Sequence, residues 1–202
     1  MDVFEAINTT RAMRRLKPDP VPDDLVWKVL EAATRAPSGG NRQPWAFMVI
    51  RDQAAKDKIA EWYLDGWNKS YAAVRDTVTA DAAGARMYGS ADHLANHLAE
   101  VPVLIVACMR AGAVGTSPSG SYIYPAVQNL MLAARALGLG TTLTTLHRAH
   151  EAEVKELLGI PDEIETLALI PMGWPLGKFG AGLRKPVEEV TFWESWGATR
   201  GR

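Results

Sequence analysis

Apolar positions change their spacing several times along the chain, and each change predicts an element. Val3, Phe4, Ala6 and Ile7 crowd into a short helical turn. Leu25, Val26, Val29, Leu30 and Ala33 recur at helical spacing behind Pro22-Asp23-Asp24, where a proline followed by acids favours a helix start, and the helix should end by Pro37. Trp45 to Ile50 predicts a buried strand and Ala54 to about Trp67 another helix. Clean periodicity is then lost between Asn68 and His97, so residues of about 66–92 are expected to form an insertion or lid. Val103 to Met109 is an unbroken apolar run of the kind found in strands covered on both faces. A loop is expected from Ala111 to Ser121.

The segment Tyr124 to Leu137 is apolar nearly all round and ends at Gly138 and Gly140, two candidate C-cap glycines. Such a helix needs cover on every side, from a sheet or from a second subunit. Thr141 to Leu146 reads as a strand, Glu151 to Leu158 as a short amphipathic helix, and Ile164 to Trp174 as a last strand broken by Pro171. Helices and strands alternate with no linker between them, so one α/β or α+β domain over residues 1–202 is expected.

Composition narrows the partners. A formal net charge of −1 over 202 residues gives no general reason to expect nucleic acid or an anionic membrane. No stretch is apolar enough for a membrane span and no signal-like leader is evident, which leads to the expectation of a cytoplasmic protein. The single cysteine, Cys108, falls inside the apolar run and reads as a buried strand residue.

Three segments carry candidate chemistry. Ala36-Pro37-Ser38-Gly39-Gly40-Asn41-Arg42-Gln43-Pro44-Trp45 is a stiff loop that offers backbone N–H groups and short polar side chains to a flat ligand, or else a plain helix-to-strand connection. Arg11, Arg14, Arg15 and Lys17 crowd one helix exit without a nearby acid, as either a phosphate site or a solvated turn. Arg184 is an isolated cation in a glycine-bearing tail. Gly138-Leu139-Gly140 completes neither nucleotide-binding glycine motif. His93 with His97 and His147 with His150 lack the companions of a metal site, so no metal is expected, and Ser38 has no elbow motif or adjacent base for nucleophilic catalysis. If the chain is an enzyme, a cofactor carries its chemistry.

Taken in order, Arg11-Ala12-Met13-Arg14, Lys17-Pro18-Asp19-Pro20-Val21-Pro22, the Pro37-to-Trp45 loop, Gln128-Asn129-Leu130, Gly138-Leu139-Gly140-Thr141 and Gly173-Trp174-Pro175 resemble the nitroreductase family of FMN-dependent oxidoreductases over nearly the whole chain. The resemblance implies an α+β fold with a central mixed β-sheet flanked by helices, and an intertwined homodimer with FMN sites at the interface. It implies that Arg11, Ala12, Met13 and Arg14 form a phosphate and ribityl segment. Pro37, Ser38 and Asn41 would reach the flavin from the partner chain, Thr144, Thr145 and Leu146 would approach the isoalloxazine, and Arg184 would hold phosphate. NADH or NADPH would be the electron donor, and a nitroaromatic, a quinone or a related small aromatic the acceptor. Reductive dehalogenation, flavin fragmentation, deazaflavin use and a non-catalytic storage or sensor role are the alternatives. Thr10 and Ala12 stand where the family commonly has an arginine and a serine, one cation and one hydroxyl fewer. Trp62, Trp67, Tyr71, Met87 and Tyr88 either pack in a core or cover the flavin.

Overall fold

The computed structural model describes residues 1–110 and 120–201. Its centre is a four-stranded sheet of β1 (Trp45–Ile50), β2 (Val103–Arg110), β3 (Gly140–Thr141) and β4 (Ile164–Gly173), in the order β1-β2-β4-β3. All neighbours in the sheet run antiparallel, and the parallel component is one bridge between Ala12 and Thr141. The unbroken apolar text of β2 follows from its cover on both faces. Val103, Ile105, Ala107 and Met109 point into one core, while Leu104, Val106 and Cys108 point into the other. The register slips by one residue after Ala107, a β-bulge at Leu167 on β4 that lets Leu167 and Ala168 both join the first core.

Helices α2 (Asp23–Ala33) and α6 (Gly120–Ala136) cover the first face through Val29, Ala33, Ile123, Val127 and Leu130. The second face is covered by α3 (Gln53–Tyr71) and α5 (Ala82–His97), which supply Ile59, Tyr63, Leu94 and Ala95. Helix α1 (Val3–Thr9) lies on α6, a single turn α4 (Arg75–Val78) links α3 to α5, and α7 (Glu151–Leu158) follows a 3-10 turn at Leu146–His150. The helix starts follow local chemistry. Asp2, Asp52 and Asp81 accept the free N–H groups of α1, α3 and α5, and α2 places Asp23 and Asp24 in its first turn.

Several predicted elements take a different form. The expected strand from Thr141 to Leu146 shrinks to Gly140–Thr141, because after one bridge at Thr144 the chain turns away from β4 into the 3-10 turn. Gly140 belongs to that strand rather than to a helix cap, whereas Gly138 does take the left-handed conformation that ends α6, φ +82°. β4 runs through Pro171 unbroken, since proline's fixed φ suits extended backbone and only a donor is lost. β1 is an edge strand, half-exposed rather than buried. α6 buries one face on the sheet and leaves Tyr124 and Gln128 exposed. The segment of about 66–92 is mostly helical, and the loop expected from Ala111 lies outside the described residues as far as position 119.

Candidate functional site

The basic N-terminal segment is fastened to the edge of the sheet. Met13 N–H donates to Thr141 O at 2.8 Å, and Lys17 N–H donates to Trp174 O at 2.7 Å. The contact is close enough to require a glycine, because a Cβ on Gly140 would sit 2.8 Å from Met13 Cβ. Met13 has its side chain buried and its N–H spent, and it lines a shallow depression of about 230 Å3 with Arg11, Ala12, Arg14 and Arg15. Arg11, Ala12 and Arg14 also line a depression of about 380 Å3, together with Thr10, Thr141 and Arg184. Residues more than 170 positions apart thus meet on one surface. Arg11 Nη2 donates to Lys178 O at 2.6 Å, which draws the C-terminal tail across the same end, and Arg184 is exposed there.

Arg14, Thr142 and Leu143 continue into a neighbouring cavity of about 230 Å3, whose walls are Tyr63, Trp67, Tyr71 and the stretch Thr142–Leu146. Thr144 is held rigidly. Its N–H and C=O pair with Leu169 at 3.0 and 2.8 Å, and its hydroxyl lies 3.1 Å from the Tyr63 phenol. Burial pushes the Tyr63 phenol up, against the pull of its Thr144 bond and of nearby Arg14. Thr145 N–H donates to no described residue, so one backbone donor at the cavity wall is available. Arg14 makes no ion pair with any described residue.

The loop from Pro37 to Pro44 stands apart. Pro37, Ser38 and Asn41 line none of the depressions that hold Arg14. Ser38 Oγ accepts from Gln43 N–H at 3.0 Å, and Asn41 Oδ1 accepts from Gln43 Nε2 at 3.1 Å. Gly40, Asn41 and Gln43 all have left-handed backbone, φ +59°, +53° and +48°, a conformation that disfavours the two non-glycines. Gly39 lies against Tyr122, where a Cβ would come within 2.8 Å of the phenol oxygen.

Reasoning from sequence missed Tyr63 and Thr142 as cavity residues. Tyr63, Trp67 and Tyr71 repeat at four-residue intervals on α3, so the shared aromatic face was available as a signal. Trp62 faces another way and stacks on His150 with ring centroids 6.3 Å apart. His147, one position beyond the cavity wall, is fully buried, and among the described residues neither ring nitrogen finds a hydrogen-bond partner. Burial lowers its pKa to about 4, opposed by Glu151 and the Thr166 backbone, which do not reach hydrogen-bonding geometry. Cys108 is buried in β2, and its thiol is pushed up to about 11, chiefly by burial. Among the described residues no group of three or more His, Cys, Asp or Glu is placed to hold a metal ion, and no helix is long and apolar enough to cross a membrane.

The family model for the Nitroreductase family matches residues 7–174, most of the chain and all of the sheet. The chain belongs to that family. An NADH dehydrogenase of Thermus thermophilus is 30% identical over 201 residues, covering 96% of each chain. An iodotyrosine deiodinase of Thermotoga neapolitana is 27% identical over 174 residues, covering 86% of this chain and 88% of that protein. Among solved structures, iodotyrosine deiodinase bound to FMN and 3-iodo-L-tyrosine superposes with a TM-score of 0.75 at 24% identity, covering 92% of this chain and 96% of that one. This family's α+β fold is therefore the fold of the chain, with both faces of its sheet covered by helices.

Proposed function

We propose that the chain is an FMN-dependent oxidoreductase that works as a homodimer, taking electrons from NADH or NADPH and delivering them to a nitroaromatic, a quinone or a related acceptor in a ping-pong cycle. The observation that carries the reading is the convergence of Arg11, Arg14 and Arg184 with the Thr144–Leu146 stretch on one elongated groove walled by aromatics. Its parts suit FMN from end to end. Arg11 and Arg184 offer charge-assisted hydrogen bonds to a phosphate. Thr145 N–H offers a donor to a ring edge, and Tyr63, Trp67 and Tyr71 offer an apolar wall to a planar ring system. Thr10 lies in the same depression, so a hydroxyl in place of the one lost at Ala12 is available two residues away.

Bound FMN would supply the redox chemistry, accepting hydride from the nicotinamide and passing electrons to the acceptor. The chain's own residues bind, orient and desolvate. Arg14 sets positive potential between the two halves of the groove, and Thr144, clamped by Leu169 and Tyr63, keeps the cavity wall rigid. The homodimer is supported by apolar surface that one chain leaves open. Val3, Phe4 and Ile7 on α1, and Leu183 and Trp196 in the tail, are exposed, and among the described residues the outer edge of β1 is unpaired. Reductive dehalogenation is the second reading, favoured by the deiodinase among the relatives.

The test is direct. The purified protein should be yellow, and NADH or NADPH should bleach it under anaerobic conditions. A colourless protein that neither retains nor rebinds FMN overturns the proposal.

A further inference from the structure

Arg135 stands in the last turn of α6, on the helix face that carries Met131 and Gln128, four and seven positions earlier, into the 380 Å3 depression. It does not line the depression itself, and it makes no ion pair with any described residue. Its guanidinium is spent twice on other groups. Nε donates to the Thr9 hydroxyl at the end of α1 at 2.9 Å, and Cζ lies 4.0 Å over the centre of the Phe179 ring. Thr9 leads into Thr10 and Arg11, and Phe179 leads into Arg184, all of them on the depression. One side chain of α6 therefore ties down both segments that bring cations to this end of the groove.

The tail is tethered as far as Phe179 and no farther. Leu176 N–H donates to Arg15 O at 3.0 Å, Lys178 O accepts from Arg11 Nη2 at 2.6 Å, and the Phe179 ring lies under Arg135. Gly180, Ala181 and Gly182 make no hydrogen bond to any described residue, and Leu183 is 95% exposed. Phe179 is thus the last fixed point before Arg184, five residues on. The effective concentration of a tethered group falls roughly as the −3/2 power of the free length, so a retreat of that point to Leu176, eight residues from Arg184, lowers it about twofold. A lysine at position 135 would keep the charge but not the clamp, because an ammonium is a point charge, whereas the planar guanidinium shows an edge to the hydroxyl and a face to the ring.

We infer that Arg135 and Phe179 are positioning residues that hold Arg184 at the phosphate end of the groove, and that Arg135 is not itself a phosphate ligand. The inference rests on the oxidoreductase reading above and deepens it by assigning the residues that favour FMN over a flavin without phosphate. Flavin fluorescence titration of the full chain, at one fixed protein concentration, gives dissociation constants for FMN and for riboflavin, which lacks only the phosphate. Phe179→Ala, Arg135→Met and Arg135→Lys should each weaken FMN at least about twofold and leave riboflavin unchanged, while Phe179→Tyr, which keeps the ring, should restore FMN affinity. Added to Arg184→Ala, Phe179→Ala should cost nothing more, because the group that it positions is already gone.

Equal losses for FMN and riboflavin, or a further loss of FMN affinity when Phe179→Ala is added to Arg184→Ala, overturn the assignment, since either would mean that the clamp supports the fold at large. Full FMN affinity in Arg135→Lys also overturns it, by making charge rather than the clamp the contribution of Arg135. If the wild-type chain binds neither flavin, the oxidoreductase reading falls and trypsin decides the clamp without a ligand. Cleavage after Lys178 should then be at least about twofold faster in Phe179→Ala than in the wild type, and equal rates overturn the clamp.

Discussion

His147 makes the stability of the protein depend on pH in a way that can be calculated and isolated. The residue is fully buried, both ring nitrogens lack partners among the described residues, and burial lowers its pKa from 6.5 to about 4. In the unfolded chain the imidazole titrates near 6.5. Between the two values the unfolded state binds a proton that the folded state refuses, so stability rises with pH across that window. The contribution is complete above about pH 6.5, is lost as pH falls through the window, and stops falling below about pH 4. At 1.36 kcal/mol per unit, the loss amounts to about 3 kcal/mol. That is a large fraction of a typical domain stability. Urea unfolding followed by tryptophan fluorescence, at fixed protein concentration and several pH values from 7.5 to 4, measures it against His147→Phe. The variant should match or exceed wild-type stability at pH 7.5 by up to about 1 kcal/mol, since it removes unpaired nitrogens. Its advantage should then grow by about 3 kcal/mol toward pH 4. Parallel pH profiles for the two proteins would refute the reasoning, because they would mean that His147 is charged or paired in the folded state.

Three further outcomes are expected. Arg14→Ala should weaken FMN binding by about ten- to a hundredfold, the loss of one charge-assisted contact, whereas Arg35→Ala, exposed at the end of α2, should leave it unchanged; flavin fluorescence titration of the two apoproteins compares them, and equal affinities would remove the phosphate-groove assignment. Gly66→Ala would normally gain up to about 1 kcal/mol in a helix interior. Here the new Cβ would sit 2.8 Å from Leu146 O and 3.3 Å from Ala149 Cβ, so the substitution should instead cost about 1–3 kcal/mol by pushing α3 off the 3-10 turn, read as a lower urea midpoint. Deleting residues 183–202, which removes exposed Leu183 and Trp196, should shift the protein toward monomer in light scattering, and a fully dimeric truncation would show that the tail is not part of the interface.

Legibility in the sequence followed the number of faces an element buries. β2 could be read because both of its faces meet a core, giving an unbroken apolar run, and α2 because its buried positions keep one helical stripe. β3 is shorter than its strand-like composition over Thr141–Leu146 predicts, because beyond Gly140 and Thr141 the pairing with β4 continues as a single bridge, Thr144 to Leu169, before the chain enters the 3-10 turn at Leu146. Residues of about 66–92 hid their helices for a different reason. Their positions face a shallow cavity and water, so Met87 and Tyr71 are exposed and the apolar stripe that signals a helix is diluted. Arg11, Arg14, Thr144 and Thr145 could be named as candidate groove residues from motif resemblance, and the aromatic face of α3 is visible in the spacing of Tyr63, Trp67 and Tyr71, but its pairing with Thr144 is a tertiary contact that no local pattern encodes.

The proposed homodimer would give the Ser38 loop a role that its own chain's groove does not offer. Asn41 and Gln43 hold a left-handed backbone conformation that costs on the order of 1–3 kcal/mol per non-glycine residue, set against exposed hydrogen bonds within the loop, from Gln43 to Ser38 Oγ and Asn41 Oδ1 and from Asn41 N–H to Ser38 O at 2.9 Å. Strain of that kind persists where surrounding structure or a ligand enforces it, yet Ser38 and Asn41 line neither half of the groove. The groove has the complementary deficit. It gathers cations at one end and aromatics at the other, but remains open to solvent along its length. A second copy presenting its Ser38 loop to this groove would relieve both, covering the ligand and giving the strained residues something to hold. Ligand binding and subunit association would then be linked by mass action, each tightening the other. Truncating the tail should accordingly weaken FMN binding although no residue of the groove other than Arg184 is removed, and restoring affinity at high protein concentration would separate that linkage from the simple loss of one cation.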